Sequence, residues 1–284
     1  MAIVLALCSA LTYGLSDFVG GLVSRRTSAW SVAVVAQTSA ALCTAAVALF
    51  YTGSPEGRDY AWAAAAGAAS GMGACFLYRG LASGRMSVVA PLSAVGAAVV
   101  PVAVGVFTGE RPSVIVWLGV LVAIPAIWLV SSAAEDLADD RDDTAPRARS
   151  AGLLDGTLAG LGFGLLFAAL GQIPDSAGLW PLTLTQVVAV PASIVLATML
   201  RASWVPRDPA AWWALAVGPL GAAATLTFLL ASQQGLLSVA GVLTSLYPAS
   251  TVLLAALVLH EKIHRAQGVG LGLCAVAIGL VAGG

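Results

Sequence analysis

The chain has 284 residues, of which 59% are hydrophobic and 10% charged, with a mean hydropathy of +0.93. Soluble domains carry roughly 25% charged residues, so this composition excludes an ordinary water-dissolved globular protein. Lys+Arg 13 against Asp+Glu 14 leaves a net charge of −1, without the basic surplus that nucleic-acid binding requires.

A membrane-spanning helix needs about 20 predominantly apolar residues. On that template the sequence predicts an all-α integral membrane protein with ten transmembrane helices, at 1–22, 29–51, 61–81, 86–108, 113–132, 152–172, 178–200, 210–231, 236–259 and 266–283. No Lys or Arg precedes Arg25, so the first span lacks the basic start of a signal peptide and reads as retained.

Ionisable groups inside a span are costly in lipid and point to function. The first span carries Tyr13 and Asp17 in YGLSDFVGG, the second Gln37, and the third Tyr78 and Arg79 near its end. The first and third spans run in the same direction, which puts Asp17 and Arg79 toward one face of the membrane. The sequence reading pairs them, or assigns them to opposite ends of a zwitterionic solute; snorkelling of each side chain to the interface is the alternative. The third span also has glycines at 67 and 71, a spacing that admits close helix approach. In the fourth, Pro91 removes an amide donor and marks a kink or gating joint.

Residues 133–150, AAEDLADDRDDTAPRARS, hold six carboxylates and three arginines and read as a solvated linker. It separates a first unit, 1–132, from a second, 151–284. The second opens on a ladder of Gly152, Gly156, Gly160 and Gly164, followed by Gln186 in the seventh span and Gln233 and Gln234 closing the eighth. The amides suit ligand binding or helix–helix bonding. The ninth span contains Tyr247 and Pro248; this proline frees the Thr244 carbonyl near the span's middle. Tyr13, Tyr78 and Tyr247 suit an aromatic wall for an apolar or cationic solute, or interfacial anchoring.

The two units read as copies. A shift of 151 places Gly84 on Gly235, Ser87 on Ser238, Glu110 on Glu261 and Gly119 on Gly270, and a shift of 149 places Gln37 on Gln186. An odd number of spans per copy inserts the second upside down, giving two inverted five-helix repeats, an architecture of secondary transporters with the binding site between repeats. Loops after odd-numbered spans hold Arg25, Arg26, Arg79, Arg85, Arg141, Arg147, Arg149, Arg201, Arg207, Lys262 and Arg265, against Arg58 and Arg111 in the others. The positive-inside rule then predicts cytoplasmic odd loops and extracytoplasmic termini.

Two stretches, LYRGLASGRMSVVAPLSAVGAAVVPVAVGVFTGER (77–111) and LLSVAGVLTSLYPASTVLLAALVLHEKI (236–263), resemble the EamA-type members of the drug/metabolite transporter superfamily. That family's pattern has a Ser/Val start to the fourth helix of each repeat, a proline-bearing apolar run and a Gly-Glu-Arg/Lys turn. Thr108-Gly109-Glu110-Arg111 fits the turn, while Leu259-His260-Glu261-Lys262 replaces its glycine with histidine. The resemblance implies a multi-pass plasma (inner) membrane protein that exports small organic metabolites, amino acids or drug-like solutes through a central cavity by alternating access. Members are usually drawn with cytoplasmic termini, opposite to the arginine count.

The partners expected are the lipid bilayer, a small-molecule solute with protons as an optional coupling ion, and, as an open alternative, a second copy of the chain. No cofactor is expected: there is no G-x-x-x-x-G-K-[ST] loop for ATP. A competing reading is a membrane zinc hydrolase, because His260-Glu261-Lys262-Ile263-His264 has the H-E-x-x-H spacing. His260 and His264 are the only histidines, no third ligand is evident, and the motif sits where a span ends, so a polar turn is the preferred reading. A non-transporting scaffold or sensor is the third alternative. The four cysteines (Cys8, Cys43, Cys75, Cys274) show no CxxC spacing and read as small core residues.

Overall fold

A computed structural model describes residues 1–82, 86–132, 145–258 and 263–284, and all regular structure among them is helical. The helices are α1 (Ala2–Ser24), α2 (Ala29–Ala48), α3 (Gly57–Ala82), α4 (Met86–Phe107), α5 (Val114–Ser132), α6 (Ala145–Leu170), α7 (Trp180–Met199), α8 (Val217–Gln234), α9 (Leu237–Thr244), α10 (Tyr247–Val258) and α11 (Arg265–Gly283). Backbone amides cannot bond to lipid, so helices are the expected solution for such apolar segments.

Three boundaries differ from the sequence reading. α6 begins at Ala145, inside the segment read as linker; residues 133–144 lie outside the described residues. The first residues of span eight form a 3₁₀ helix, Pro209–Ala216, started by Asp208, whose side chain accepts from the Ala210 amide at 2.9 Å, and α8 begins only at Val217. Span nine is broken in two. Pro248 is the second residue of α10 and cannot donate to the preceding turn, so α9 stops at Thr244 and Ser245–Leu246 form the joint. α4, by contrast, continues as a helix through position 91.

Among the described residues, seven stretches have the length and hydropathy to cross a membrane, two of them Pro209–Gln234 and Leu237–Leu254. α3 is not one of these seven, and Leu92–Phe107 and Val114–Val130 are shorter apolar helices among the described residues. The count of ten crossings is therefore not reproduced by length and hydropathy. Large apolar side chains on the outside, such as Phe107 (90% exposed) and Trp213 (73%), are what a lipid-facing surface requires.

The packing is the same when the two groups of helices are exchanged. α1 lies on α8 as α6 lies on α3; α2 lies on α8 as α7 lies on α3; α1 lies on α9 and α10 as α6 lies on α4. α2 with α7, α4 with α9 and α5 with α11 pair across the exchange. Glycines set these approaches. A Cβ on Gly160 would fall 2.6 Å from the Leu92 carbonyl oxygen and 3.1 Å from the Gly96 Cα, and one on Gly164 2.6 Å from the Gly96 oxygen. The four-residue ladder is thus the face α6 turns to α4, while a Cβ on Gly71 of α3 would fall 2.7 Å from the Ala189 oxygen of α7.

Since the atoms facing Gly160 are backbone, they cannot move aside. Gly160→Leu should cost at least the roughly 1–3 kcal/mol of ordinary overpacking and reduce monodisperse protein in size-exclusion chromatography with a lowered Tm. Gly268→Leu, where nothing lies within 4 Å of the added carbon, should leave both unchanged.

Candidate functional site

The helices that pack across the exchange enclose a narrow central cavity of about 50 Å³ lined by α1, α2, α3, α6, α7 and α8. Its polar lining is Ser16, Asp17, Gln37, Ser70, Gln186 and Thr225. The rest is alanine, glycine, Leu166 and Val217, with Tyr13, Tyr78 and Phe163 supplying ring surface. A water needs about 10–15 Å³ of such space, so the cavity holds a few waters at most.

The two glutamines expected to correspond do so in their bonding. Gln37 on α2 donates through Nε2 to Ser70 Oγ on α3 at 3.1 Å, and Gln186 on α7 donates to Thr225 Oγ1 on α8 at 2.9 Å. Each amide therefore ties the second helix of its group to the third while facing the cavity. Between helices in lipid such a bond averages about 0.6 kcal/mol.

Asp17 is 9% exposed and is the one charged residue among those lining the cavity. No hydrogen bond or ion pair engages its carboxylate among the described residues. Tyr13, one helical turn away on α1, has a buried hydroxyl with no partner among them. Its ring packs edge-on against Phe167 at 5.6 Å, Phe167 stacks on Phe228 at 4.3 Å, and Tyr247 lies 6.4 Å from Tyr13.

The expected Asp17–Arg79 pair is not formed. Arg79 instead donates through Nε to Asp155 Oδ1 on α6 at 3.0 Å, with a second, shorter contact from Nη2. Its guanidinium sits 4.6 Å from the Phe76 ring centroid and 5.7 Å from that of Trp30. Which acid Arg79 meets is decided by packing: α3 is pressed onto α6, where a Cβ on Gly162 would fall 2.6 Å from the Gly73 nitrogen. Asp155 is 4% exposed in its side chain. Its signal in the sequence was its position as the sole carboxylate within the sixth span.

The turn after α4 has a defined role that the sequence showed only as a motif. Gly109 has φ +107, a backbone region costly for other residues, and the chain doubles back so that the Glu110 amide donates to the Gly105 carbonyl at 2.8 Å. The Glu110 carboxylate then accepts the amides of Leu237 and, at 3.0 Å, Ser238. These are first amides of α9, which have no partner within their own helix. A Cβ on Gly105 would lie 2.7 Å from the Glu110 Cδ, so the bare glycine leaves room for the carboxylate.

Helices joined by short turns alternate in direction, so the Glu110 turn shares one end of the bundle with the α2–α3 and α6–α7 connections, which bond through Ser54 N to Ser176 O at 2.8 Å. Arg79 and Asp155 are near the opposite end. Phe167 and Phe228 stand one turn closer to the Glu110 end than the cavity-lining Phe163 and Thr225, so the aromatic layer separates the cavity from that end.

The remaining expected residues are elsewhere. Tyr247 does not line the cavity; its hydroxyl bonds Ser93 Oγ at 2.6 Å, linking α10 to α4. Gln233 donates to the Ile173 carbonyl at 3.2 Å in the connection after α6, and Gln234 is exposed. Neither borders the cavity. His260 and Glu261 lie outside the described residues. His264 is not on a helix: with ψ 156 it is the N-cap of α11, and its amide donates to Gln267 Oε1 at 2.9 Å. Two ligands on one helical face, which the zinc pattern demands, are not presented by that backbone. Ser16, Ser70, Phe163, Leu166 and Thr225 on the lining were not singled out from the sequence, where a hydroxyl or apolar residue inside a span carries no distinguishing mark.

Comparison with known proteins gives one family: the EamA-like transporter family matches over residues 1–132 and again over 150–283. No curated protein matches the chain. Among solved structures, one crystal structure superposes with a TM-score of 0.72 over 97% of this chain and 96% of its own, at 15% identity; likeness at that identity is one of fold alone.

The Arg79–Asp155 geometry makes an asymmetric prediction. Removing one partner of a buried pair costs about 3–5 kcal/mol, because the other is left uncompensated. Asp155 is the more deeply buried, while Arg79 keeps its aromatic neighbours and partial exposure. Arg79→Ala should therefore lower the Tm more than Asp155→Ala, and the double variant should be less destabilised than the sum of both. Additive losses in thermal unfolding would disprove the coupling.

Proposed function

The chain belongs to the EamA-like transporter family, and from that membership we propose that it is a secondary transporter moving small organic solutes through the central cavity by alternating access. The observation that carries this reading is the position of the cavity. It lies where the first three helices of one group meet the first three of the other, the place where inverted repeats of transporters bind their solutes. The exchange-symmetric packing, and the paired Gln37–Ser70 and Gln186–Thr225 bonds, support reading the two groups as inverted repeats, and with them ten crossings.

The cavity is closed toward the Glu110 end by the aromatic layer and by the carboxylate that holds α9. Toward the Arg79 end its lining reaches Gly218 near the start of α8 and Ala33 near the start of α2. With the arginine-rich end placed in the cytoplasm, this is a state that receives solute from inside, consistent with export. Opening the other end requires α9 to leave the α4–α5 turn, so the bonds from Glu110 must break. The Ser245–Leu246 joint before Pro248 is where α9 can move relative to α10.

Reconstituted protein should show saturable counterflow of labelled organic solute into preloaded vesicles, absent from empty ones; no counterflow by folded protein for any solute class would overturn the transporter reading. Glu110→Gln should weaken the hold on α9, since one acceptor oxygen becomes an NH₂ facing a donor. In a background lacking the four native cysteines, with Ser245→Cys as reporter, it should raise labelling by an impermeant maleimide by about fivefold or more, a shift of about 1 kcal/mol. Equal labelling would show that Glu110 does not hold the closed end.

A further inference from the structure

We propose that the cavity selects small organic monocations, ammonium or guanidinium compounds of a few heavy atoms, and that such a cation and a proton compete for the Asp17 carboxylate. This rests on the transporter reading above and adds to it the charge class of the solute.

The polar groups of the interior divide into two kinds. Gln37, Gln186, Arg79, Glu110 and Tyr247 each have a protein partner at hydrogen-bonding distance. The Tyr13 hydroxyl, bordering the cavity, is buried without a partner among the described residues, and no hydrogen bond or ion pair among them engages the Asp17 carboxylate, which borders the same space. An ionised carboxylate withdrawn from water without a counter-charge is strongly disfavoured. Arg79, the nearest in-span cation by sequence, is engaged by Asp155 and absent from the lining, so it neither neutralises Asp17 nor offers a site for an anion. What remains is neutralisation by a proton or by the ligand.

The surroundings suit a cation further. The rings of Tyr13 and Tyr78 border the same space, and ring faces attract ammonium and guanidinium groups, most strongly where water is excluded. The Tyr78 ring is held in place by the backbone of α1: a Cβ on Gly20 would lie 2.6 Å from its Cε1. An anion placed there would meet the Asp17 charge with no cationic partner. The volume of about 50 Å³ is far below the roughly 300–1,000 Å³ of drug-sized sites, which restricts the solute to a few heavy atoms.

Competition follows from charge balance. One positive charge enters as one proton leaves, so the cavity is neutral in both loaded forms. The titratable groups facing Asp17 are the phenols of Tyr13 and Tyr247 and that of Tyr78 on α3, which stay neutral near pH 7. α2 and α8 present only amide, hydroxyl and apolar groups to the cavity, α6 only apolar ones, and α7 an amide. Asp17 is therefore the group on which proton and cation meet.

The test is uptake into proteoliposomes of full-length protein, using guanidinium, tetramethylammonium and choline as cations, alanine as zwitterion, glucose as neutral solute and pyruvate as anion. Expected is saturable uptake of at least one cation, with an apparent KM that rises as the pH falls. In Asp17→Asn uptake should drop about tenfold or more, and Tyr13→Phe should weaken it about threefold. Uptake of glucose, alanine or pyruvate with the cations excluded, or cation uptake equal in Asp17→Asn, overturns this inference while the transporter reading stands. No uptake of any probe by monodisperse protein overturns both. Should Asp17→Asn fail to fold, the wild-type protein decides: a cation KM independent of pH across the neutral range overturns the proposal.

Discussion

Inside a bilayer there is no water to satisfy a polar group, so each one carried by a helix must find its partner in the protein. That constraint organises this molecule. Many in-span hydroxyls bond a carbonyl one turn back in their own helix, while the longer polar side chains join one helix to another: Gln37 to α3, Gln186 to α8, Arg79 to α6, Tyr247 to α4. Because lipid tails are as apolar as leucine, burial of apolar surface does not drive helices together, and close packing with such bonds must do so. The glycine contacts between α6 and α4 and between α3 and α7 provide the packing, and the polar pairs fix which helix meets which.

The two ends of the bundle are joined by different chemistry. At one end an ion pair backed by two aromatic rings, Arg79–Asp155, spans α3 and α6. At the other, a carboxylate accepts the leading amides of a helix, an arrangement that the helix dipole favours. The second depends on three residues of one short stretch: Gly109 turns the chain, Gly105 clears the space, and Glu110 fills it. The Gly-Glu-Arg turn thus becomes a contact between groups of helices 127 residues apart in the chain.

The helical character, most of the helix bounds and the glycine faces were legible in the sequence, because apolar length and four-residue spacing are local properties. The break at Pro248 was legible as a kink, its depth being set by the two residues of joint that the chain inserts before Tyr247. Partner choice was not legible. Asp17 and Arg79 share an end of the bundle, yet Arg79 bonds Asp155, because the Gly73–Gly162 contact brings α6 rather than Asp17 to it. The cavity's composition was half legible: Tyr13, Asp17, Gln37, Tyr78 and Gln186 stood out as polar or aromatic groups inside spans, while Phe163, Ser70 and Thr225 acquire their place only from the way six helices meet. Gln233 and Gln234 were legible as polar but not as peripheral, since a residue at a span's end carries no mark of which way it faces.

Among the described residues the buried Ser238 Oγ and Asp59 Oδ1 also lack a hydrogen-bond partner, but neither borders the cavity, so the exceptions that do border it gain meaning. A buried carboxylate left without a donor is a liability in a protein whose only task is to hold its fold, where an asparagine or serine would pack at lower cost. Asp17 stands where six helices converge and beside a hydroxyl that is also without a partner. The chain contains an arginine on α3 that could have neutralised an acid in this region, and it commits that arginine to Asp155 instead. Structural needs are met by the pairs around the cavity, and the Asp17 carboxylate faces the cavity itself.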